Sequence, residues 1–247
     1  HKGEHPRLGA VDVTPIIPLR NISYDECVKL SKELGKKINL ATNVPVYLYA
    51  KSATRPHTES LVEIRKGEFE GLKEKMHDLK WLPDFGICTP HPSAGAYVVG
   101  CRKPLVAFNV DVNSKKRAQV YGIAKRVRFS SGGYRYIQAN VAYLKDKDLY
   151  QVTMNLTDFE KTALYQALEA VKMEAKRYDI EILSTEIVGL VFQKCLEDSL
   201  KYYLKMPANK PLNLSLEEIV ALAINYLKLR DFSIDKVVEY HLRRIPD

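Results

Sequence analysis

The order of strand-like and helix-like segments in residues 104–190 is the feature that most constrains the fold. Apolar runs of strand length alternate there with helical periodicity. Strands are predicted at 104–112, 136–144, 149–156 and 180–190, and helices at about 114–128 and 157–178. The second helix is predicted to begin at Thr157, because Thr157–Glu160 has the spacing of a capping box. This β-α-β-β-α-β order is typical of a ferredoxin-like unit.

The first half of the chain contains fewer elements than a second unit of this kind needs. Strands are predicted at 9–17, 44–50 and 95–100, and helices at 24–37 and near 58–76. The chain also begins with His1 instead of methionine, so we expect the intact protein to have residues upstream. The first unit is therefore predicted to lack its N-terminal part.

We predict an α+β fold of two ferredoxin-like subdomains with a C-terminal helical appendage. The boundaries expected from the pattern are 1–101 for the first subdomain and 102–247 for the second. Helical periodicity at 193–205, 215–229 and 233–242 predicts that the appendage begins at about residue 193.

Composition limits the partners that this chain can have. Its formal net charge of +8 favours an anionic partner, such as a nucleic acid, an acidic cofactor or a polycarboxylate substrate. No apolar run reaches the roughly 18 residues that span a bilayer. The 4 cysteines form no C-x-x-C pair, which indicates free thiols in a reducing compartment. We expect a cytoplasmic protein that binds no membrane.

His5 is a candidate acid–base residue, but its sequence surroundings alone do not decide the matter. It lies between Glu4 and Arg7 and directly before Pro6, just ahead of a predicted strand, where charged neighbours could tune its pKa. On spacing alone, a structural or surface histidine is the favoured alternative. The His1/His5 pair has helical spacing for metal ligands, yet Pro6 argues against a helix there, so no metal site is predicted.

Two further features each have an ordinary and a functional interpretation. The Pro- and Gly-rich stretch 81–95 is either a functional loop or a plain connection between subdomains. The predicted helix at 114–128 carries six basic residues and is either a solvated face or a surface for an anionic ligand or RNA: Lys115, Lys116, Arg117, Lys125, Arg126 and Arg128. The stretch 134–143 does not match the signature of an RNA-recognition strand, and no Walker loop or G-x-G-x-x-G is present.

Several long motifs, in order along almost the whole chain, closely resemble the glutamate formiminotransferase family, which includes the transferase module of formiminotransferase-cyclodeaminase. The first is His-Lys-Gly-Glu-His-Pro-Arg-Leu-Gly-Ala at residues 1–10. The others are at 44–49, 83–86, 92–95, 108–109, 151–159 and 184–191. A set of motifs in one order is far more specific than any one of them.

The resemblance implies two ferredoxin-like subdomains with a folate-binding tunnel between them. It implies transfer of the formimino group of N-formimino-L-glutamate to N5 of tetrahydrofolate, in histidine degradation, with His5 as the catalytic residue. It also implies a folate-binding loop formed by Gly86, Ile87, Cys88, Thr89, Pro90, His91, Pro92, Ser93, Ala94 and Gly95. The middle of this loop, 87–91, departs from the family pattern while its ends match.

The partners implied are formiminoglutamate and tetrahydrofolate or its polyglutamyl forms, with tetrahydrofolate as co-substrate, no metal and no nucleic acid. A homodimer is compatible with such an enzyme. Two alternatives stay open at this point: a non-catalytic folate-binding or interaction module of the same fold, and, more remotely, an RNA-binding protein with a ferredoxin-like unit.

Overall fold

The computed structural model describes residues 6–245, which form two compact units separated between Lys103 and Pro104. The described residues contain two β-sheets and eight α-helices, so the chain is a mixed α/β protein, consistent with the α+β class expected. None of the described helices combines the length and the apolar character needed to cross a membrane.

The first unit is built around a parallel sheet of three strands. Its elements are β1 (Val13–Ile16), α1 (Tyr24–Thr42), β2 (Val46–Leu48), α2 (Leu61–Arg65), α3 (Leu72–Lys75) and β3 (Tyr97–Cys101). The strand order is β1-β3-β2, with β3 parallel to both neighbours. Helix α1 begins with a reciprocal capping box between Ser23 and Glu26, which satisfies two amide donors of its first turn.

Apolar side chains cover both faces of this sheet, as parallel sheets require. On one face, Val98 packs in a cluster with Ile64, Leu72 and Met76 from the region of the short helices. On the other face, Val99 packs with β2 residues and with partly buried side chains of α1. The central strand β3 therefore has a buried environment on each side.

The helix expected near 58–76 is wrong as a single element. The chain forms a 3₁₀ turn at Pro56–Glu59, then α2, an irregular turn and finally α3. The interruption lies at Gly67, whose φ of 92° is outside the helical region. A Cβ atom at Gly71 would lie 2.8 Å from the Gly67 carbonyl oxygen, so this turn also needs glycine at its second end.

The second unit has the predicted β-α-β-β-α-β order in an antiparallel sheet. Its elements are β4 (Val106–Val112), α4 (Arg117–Val127), β5 (Ile137–Leu144), β6 (Leu149–Leu156), α5 (Leu164–Ala175) and β7 (Ile182–Val188). The strand order is β5-β6-β4-β7, and every neighbouring pair is antiparallel. Alternate residues of the strands pack with α4 and α5 in one large apolar core, for example Phe108 and Val110 of β4.

Helix α5 does not begin at Thr157, so the predicted start is wrong. The Thr157 amide donates to the Tyr136 carbonyl oxygen at 2.9 Å, which continues the strand pairing beyond β6. Helix α5 instead begins after Ala163, whose amide donates to the Gln166 side chain at 2.8 Å. The T-x-x-E spacing was present, but the chain at that position was already paired with its neighbouring strand.

Three C-terminal helices complete the second unit: α6 (Gln193–Tyr203), α7 (Leu216–Leu227) and α8 (Val238–Leu242). The expected helix 233–242 is divided into a 3₁₀ turn, Ile234–Lys236, and α8. After α7 the chain runs beside β7, because the Thr185 amide donates to the Lys228 carbonyl at 2.8 Å and the Arg230 amide donates to the Thr185 carbonyl at 2.9 Å. This contact places Arg230 at the edge of the sheet.

Candidate active site

The N-terminal segment and the loop 86–95 lie side by side in the first unit. The Ala10 amide donates to the Ala94 carbonyl at 3.2 Å, and the Ala96 amide donates to the Leu8 carbonyl at 3.1 Å. Gly9 and Gly95 form an antiparallel bridge between these contacts. The structure therefore places Leu8–Ala10, the end of the first family motif, beside the end of the loop expected to bind folate.

Glycine is required on both sides of this contact. A Cβ atom at Gly9 would lie 2.1 Å from the Ala94 carbonyl oxygen. Gly95 has a φ of 66°, and its Cβ would lie 2.0 Å from the Leu8 carbonyl oxygen. Any side chain at either position would separate the two backbones. The close approach of the two segments therefore explains why glycine occupies both positions of these motifs.

The predicted catalytic residue, His5, lies outside the described residues, but the segment that follows it is firmly anchored. Arg7 donates to Glu68 at 2.9 Å and to Glu70 at 2.6 Å. The bond with Arg7 lowers the pKa of the Glu70 carboxyl to about 2. Asp12 accepts the Leu8 amide at 2.7 Å and pairs with Arg65.

The start of the loop is fixed by Asp84. Its carboxylate accepts the Leu48 amide of β2 at 2.8 Å, the Arg55 guanidinium at 3.1 Å and the Thr54 hydroxyl. Gly86, the first residue of the loop, has a φ of 98°. A Cβ atom at this position would lie 2.5 Å from Nδ2 of Asn39. The chain thus enters the loop along a defined backbone path.

The end of the loop is closed by His91. Its backbone exchanges two hydrogen bonds with Gly95, both of 2.9 Å, and its Nδ1 accepts the Ala94 amide at 3.1 Å. Because Nδ1 accepts, Nε2 is the nitrogen that carries the ring proton. His91 therefore has a structural role inside the loop, which gives this departure from the family pattern a physical explanation.

Between these two fixed ends, the loop presents small and exposed residues. Six of its ten residues are exposed: Gly86, Ile87, Cys88, Thr89, Pro92 and Ser93. Pro90, His91 and Ala94 are half-buried, and Gly95 is buried. An anchored loop with accessible backbone groups can approach a flat ring closely.

The residues that precede the loop are held by the half-buried amine of Lys75. Lys75 donates to the carbonyls of Glu63, Ile64 and Lys66 at 2.6–3.0 Å, and its Nζ lies 3.9 Å from the centre of the Trp81 ring. Burial lowers the pKa of Lys75 to about 8. His57 stacks edge-on against the same Trp81 ring and binds the Lys80 carbonyl at 2.7 Å, so it belongs to this packing.

A second polar cluster, in the other unit, was missed by sequence reasoning. On the sheet face opposite α4 and α5, the buried Asp111 accepts Gln151 at 2.7 Å, Ser184 at 2.8 Å and Arg230 Nε at 2.7 Å. Arg230 Nη2 also donates to Glu186 at 2.8 Å. Burial opposes ionisation of Asp111, yet these three hydrogen bonds outweigh it and keep its pKa below the ordinary value.

One signal in the sequence could have indicated this cluster. Polar residues occupy every second position of three predicted strands, as in Asn109/Asp111, Gln151/Thr153 and Ser184/Glu186. Period-two alternation places such residues on one sheet face. Arg230 carries no comparable signal, because it is 119 residues away from Asp111 in the chain.

The basic residues near α4 lie largely on its outer surface, and several are paired. Lys115 binds Asp148, Arg126 lies 3.6 Å from Glu174, and Arg128 stacks over the Tyr121 ring. These contacts favour the interpretation as a solvated face. Among the described residues there is no cluster of three His, Cys, Asp or Glu side chains that could hold a metal ion.

Comparison with protein families and with curated proteins gives one consistent result. Residues 1–102 match the formiminotransferase domain, N-terminal subdomain, and residues 107–243 match the formiminotransferase domain. The chain is 44% identical over 206 residues to glutamate formimidoyltransferase of Streptococcus pyogenes serotype M1, covering 83% of this chain and 69% of that protein.

Two further relatives extend the comparison. Glutamate formimidoyltransferase of Thermoplasma acidophilum is 42% identical over 208 residues, covering 83% of this chain and 68% of that protein. Formimidoyltransferase-cyclodeaminase of Rattus norvegicus is 40% identical over 250 residues, covering 97% of this chain and 46% of that protein.

Proposed function

This chain belongs to the formiminotransferase family and is an enzyme that transfers a formimino group from N-formimino-L-glutamate, and on that premise we propose how its residues act. We propose that the acceptor is N5 of tetrahydrofolate, that His5 is the acid–base catalyst and that Gly86–Gly95 binds the folate. The observation that most directly supports this proposal is the backbone pairing of Leu8–Ala10 with Ala94–Ala96, because it joins the segment that follows His5 to that loop.

The reaction requires one proton to move between two nitrogens. N5 of the folate attacks the formimino carbon, and a tetrahedral intermediate forms. The new C–N5 bond is kept when N5 loses its proton, and the bond to the glutamate nitrogen breaks when that nitrogen gains a proton. An imidazole with a pKa near 7 can accept the first proton and supply the second, which contributes about 10² to 10⁴ in rate.

The loop contributes binding and orientation. Asp84 fixes its beginning and the His91–Gly95 pair fixes its end, so little backbone entropy is lost when a ligand binds. Its exposed backbone groups suit hydrogen bonds to the polar edge of a pterin ring. The net charge of +8 suits the carboxylates of both substrates.

We propose that the second unit is a ferredoxin-like subdomain. The strand order β5-β6-β4-β7, with antiparallel neighbours and β-α-β-β-α-β connectivity, supports a ferredoxin-like second subdomain. We propose subdomains 1–101 and 102–247, a cytoplasmic location consistent with four free thiols, and a reaction that needs no metal.

The experiment that tests this function measures transfer in the intact protein. Tetrahydrofolate and N-formimino-L-glutamate are supplied, and methenyl-folate is followed by absorbance after acid treatment. His5→Ala is expected to lower the rate by about 10² to 10⁴ while tetrahydrofolate still binds. The matched control is His77→Ala, which removes an exposed imidazole of the same unit.

Retention of full activity in His5→Ala would show that another group moves the proton. Folate binding without turnover in the unmodified protein would instead support a binding module that has lost the reaction.

A further inference from the structure

A cavity of about 410 Å³ lies in the first unit, beside the segment that follows His5. Its wall is formed by Pro6 and by residues of the segment 62–68, which comprises the end of α2 and the turn after it. Pro6 and the exposed Val62 supply apolar surface, while Arg65 and Lys66 supply cationic groups. All of these residues belong to the first unit, so the cavity is formed within that unit alone.

Arg65 and Lys66 have hydrogen-bond donors that the described residues do not use. Nη2 of Arg65 donates to Asp12, but its buried Nε has no hydrogen-bond partner, and the side chain is 23% exposed. Lys66 is exposed, and its amine pairs with no carboxylate or carbonyl of the residues that the structure describes. A guanidinium and an ammonium act only as donors. The wall of the cavity therefore offers two neighbouring cations with unused capacity to bind an acceptor.

The carboxylates around this cavity are already compensated by other cations. They form three neighbouring groups: Arg7 with Glu68 and Glu70, Arg65 with Asp12, and Lys75 with the carbonyl and the carboxylate of Glu63. With Lys66 included, four cations face four carboxylates, so no excess of negative charge repels an incoming anion. Lys66 is the cation of this set that has no direct partner, and it is available to a ligand.

The cavity is also close to the candidate folate loop. Pro6, in the cavity wall, follows His5 directly, and three residues farther on Gly9 forms an antiparallel bridge with Gly95. Three residues of chain span at most about 11 Å, so the wall at Pro6 lies within that distance of Gly9. A ligand in the cavity therefore lies beside the segment that follows His5 and near the end of the loop.

The donor substrate has the groups that this cavity can hold. N-formimino-L-glutamate carries two carboxylates on a short aliphatic chain, and carboxylates form charge-assisted hydrogen bonds with Lys and Arg. We propose that the cavity binds the glutamate portion of N-formimino-L-glutamate, with Lys66 and Arg65 as the carboxylate-binding residues. This inference rests on the proposed function and adds a donor site to it. Asp12 has a positioning role, because it accepts the Leu8 amide at 2.7 Å and holds the Arg65 guanidinium.

Calorimetry and steady-state kinetics on the intact protein separate donor binding from folate binding. In Lys66→Met, the Kd and the KM for N-formimino-L-glutamate are expected to rise about 10-fold, as for one lost hydrogen bond to a charged group. The KM for tetrahydrofolate and kcat are expected to change less than about threefold. Lys66→Arg keeps the charge and should recover most of the donor affinity. Glutarate, a dicarboxylate without the formimino group, should compete with the donor and lose affinity in Lys66→Met by a similar factor.

The matched control is Lys73→Met, which removes another exposed lysine of the same unit and should leave the donor Kd unchanged. An unchanged donor Kd in Lys66→Met overturns the inference, and so does an equal loss in the control or an equal rise in the KM for tetrahydrofolate. These results leave the proposed function intact if the unmodified protein transfers the formimino group. Donor binding that depends on Lys66 in a protein without transfer would support the cavity as the binding site and overturn the proposed function.

Discussion

His91 and Gly95 exchange both of their backbone hydrogen bonds, each with an N···O distance of 2.9 Å. This closed pair shapes the end of the candidate folate loop, and it holds Gly95 where the chain from Leu8 to Ala10 passes. The loop and the N-terminal segment are therefore one structural element, so a substitution at Gly95 should alter the conformation of both.

Replacing Gly95 by alanine should destabilise the first unit by about 3 kcal/mol or more, because the new Cβ overlaps the Leu8 carbonyl and the φ is positive. Tetrahydrofolate affinity should fall with it. Urea unfolding and ligand titration measure the two effects. The control is Gly132→Ala, at a φ of 90° with nothing near its Cβ, where only the backbone strain of about 1 to 2 kcal/mol is expected. Equal effects at both glycines would contradict the steric argument.

The Arg7–Glu70 pair should make the N-terminal segment sensitive to acid. Because the bond with Arg7 lowers the pKa of Glu70 from 4.5 to about 2, its stabilisation is present above pH 4.5 and is lost as the pH falls towards 2. Unfolding midpoints measured across this range should therefore decrease less steeply in Glu70→Gln. The exposed Glu59→Gln provides the control, and a slope unchanged in Glu70→Gln would show that the pair does not stabilise the fold.

Lys75 should make stability increase with pH in the alkaline range as well. Burial lowers its pKa from 10.5 to about 8, so the unfolded chain binds more protons between these values and stability should increase as the pH rises from 8 to 10.5. Lys75→Met should remove this increase. It should also cost about 1 to 3 kcal/mol at neutral pH, because three carbonyls lose their donor.

Unfolding by urea at several pH values measures both effects of Lys75→Met. Lys73→Met, on the exposed side of α3, is the matched control. A pH profile that is the same in the Lys75 variant and the unmodified protein would assign the alkaline dependence to another group.

Arg230→Leu should cost about 3 kcal/mol, because it removes the cation that is hydrogen-bonded to the buried Asp111 carboxylate and leaves only Lys147, at 3.9 Å, beside it. Adding Asp111→Asn should recover part of that loss, since the uncompensated charge is then gone. A double-mutant cycle in urea gives the coupling between the two side chains. Arg243→Leu, at an exposed position, is the control, and simple additivity of the two changes would show that the charges do not interact.

The sequence predicted elements whose residue pattern is local, and it failed where a glycine turn or a contact with a distant part of the chain determines the structure. The hairpin of β5 and β6 was confirmed because period-two alternation and a short polar loop are both visible along the chain. The single helix at 58–76 was wrong, because the sterically crowded turn between Gly67 and Gly71 has no signature in helical periodicity. The helix start at Thr157 was wrong because the Thr157 amide is hydrogen-bonded to the Tyr136 carbonyl, which continues the strand pairing.

The candidate site divides in the same way. The role of His5 came from a resemblance and not from its spacing, and it stays a prediction. The contact between Gly9 and Gly95 joins residues far apart in sequence, so no local pattern could reveal it. The partnership of Arg230 with Asp111 and Glu186 depends on how the chain after α7 returns to β7, which only the folded structure defines.

That return of the chain has a consequence for association. The outer edge of β7 would offer free amide and carbonyl groups to any passing strand, and such edges are sites of aggregation. Hydrogen bonds with Lys228 and Arg230 occupy the amide and the carbonyl of Thr185, in the middle of this edge. The segment after α7 thus covers part of the β7 edge from within the molecule, and the same segment supplies Arg230 to the polar face.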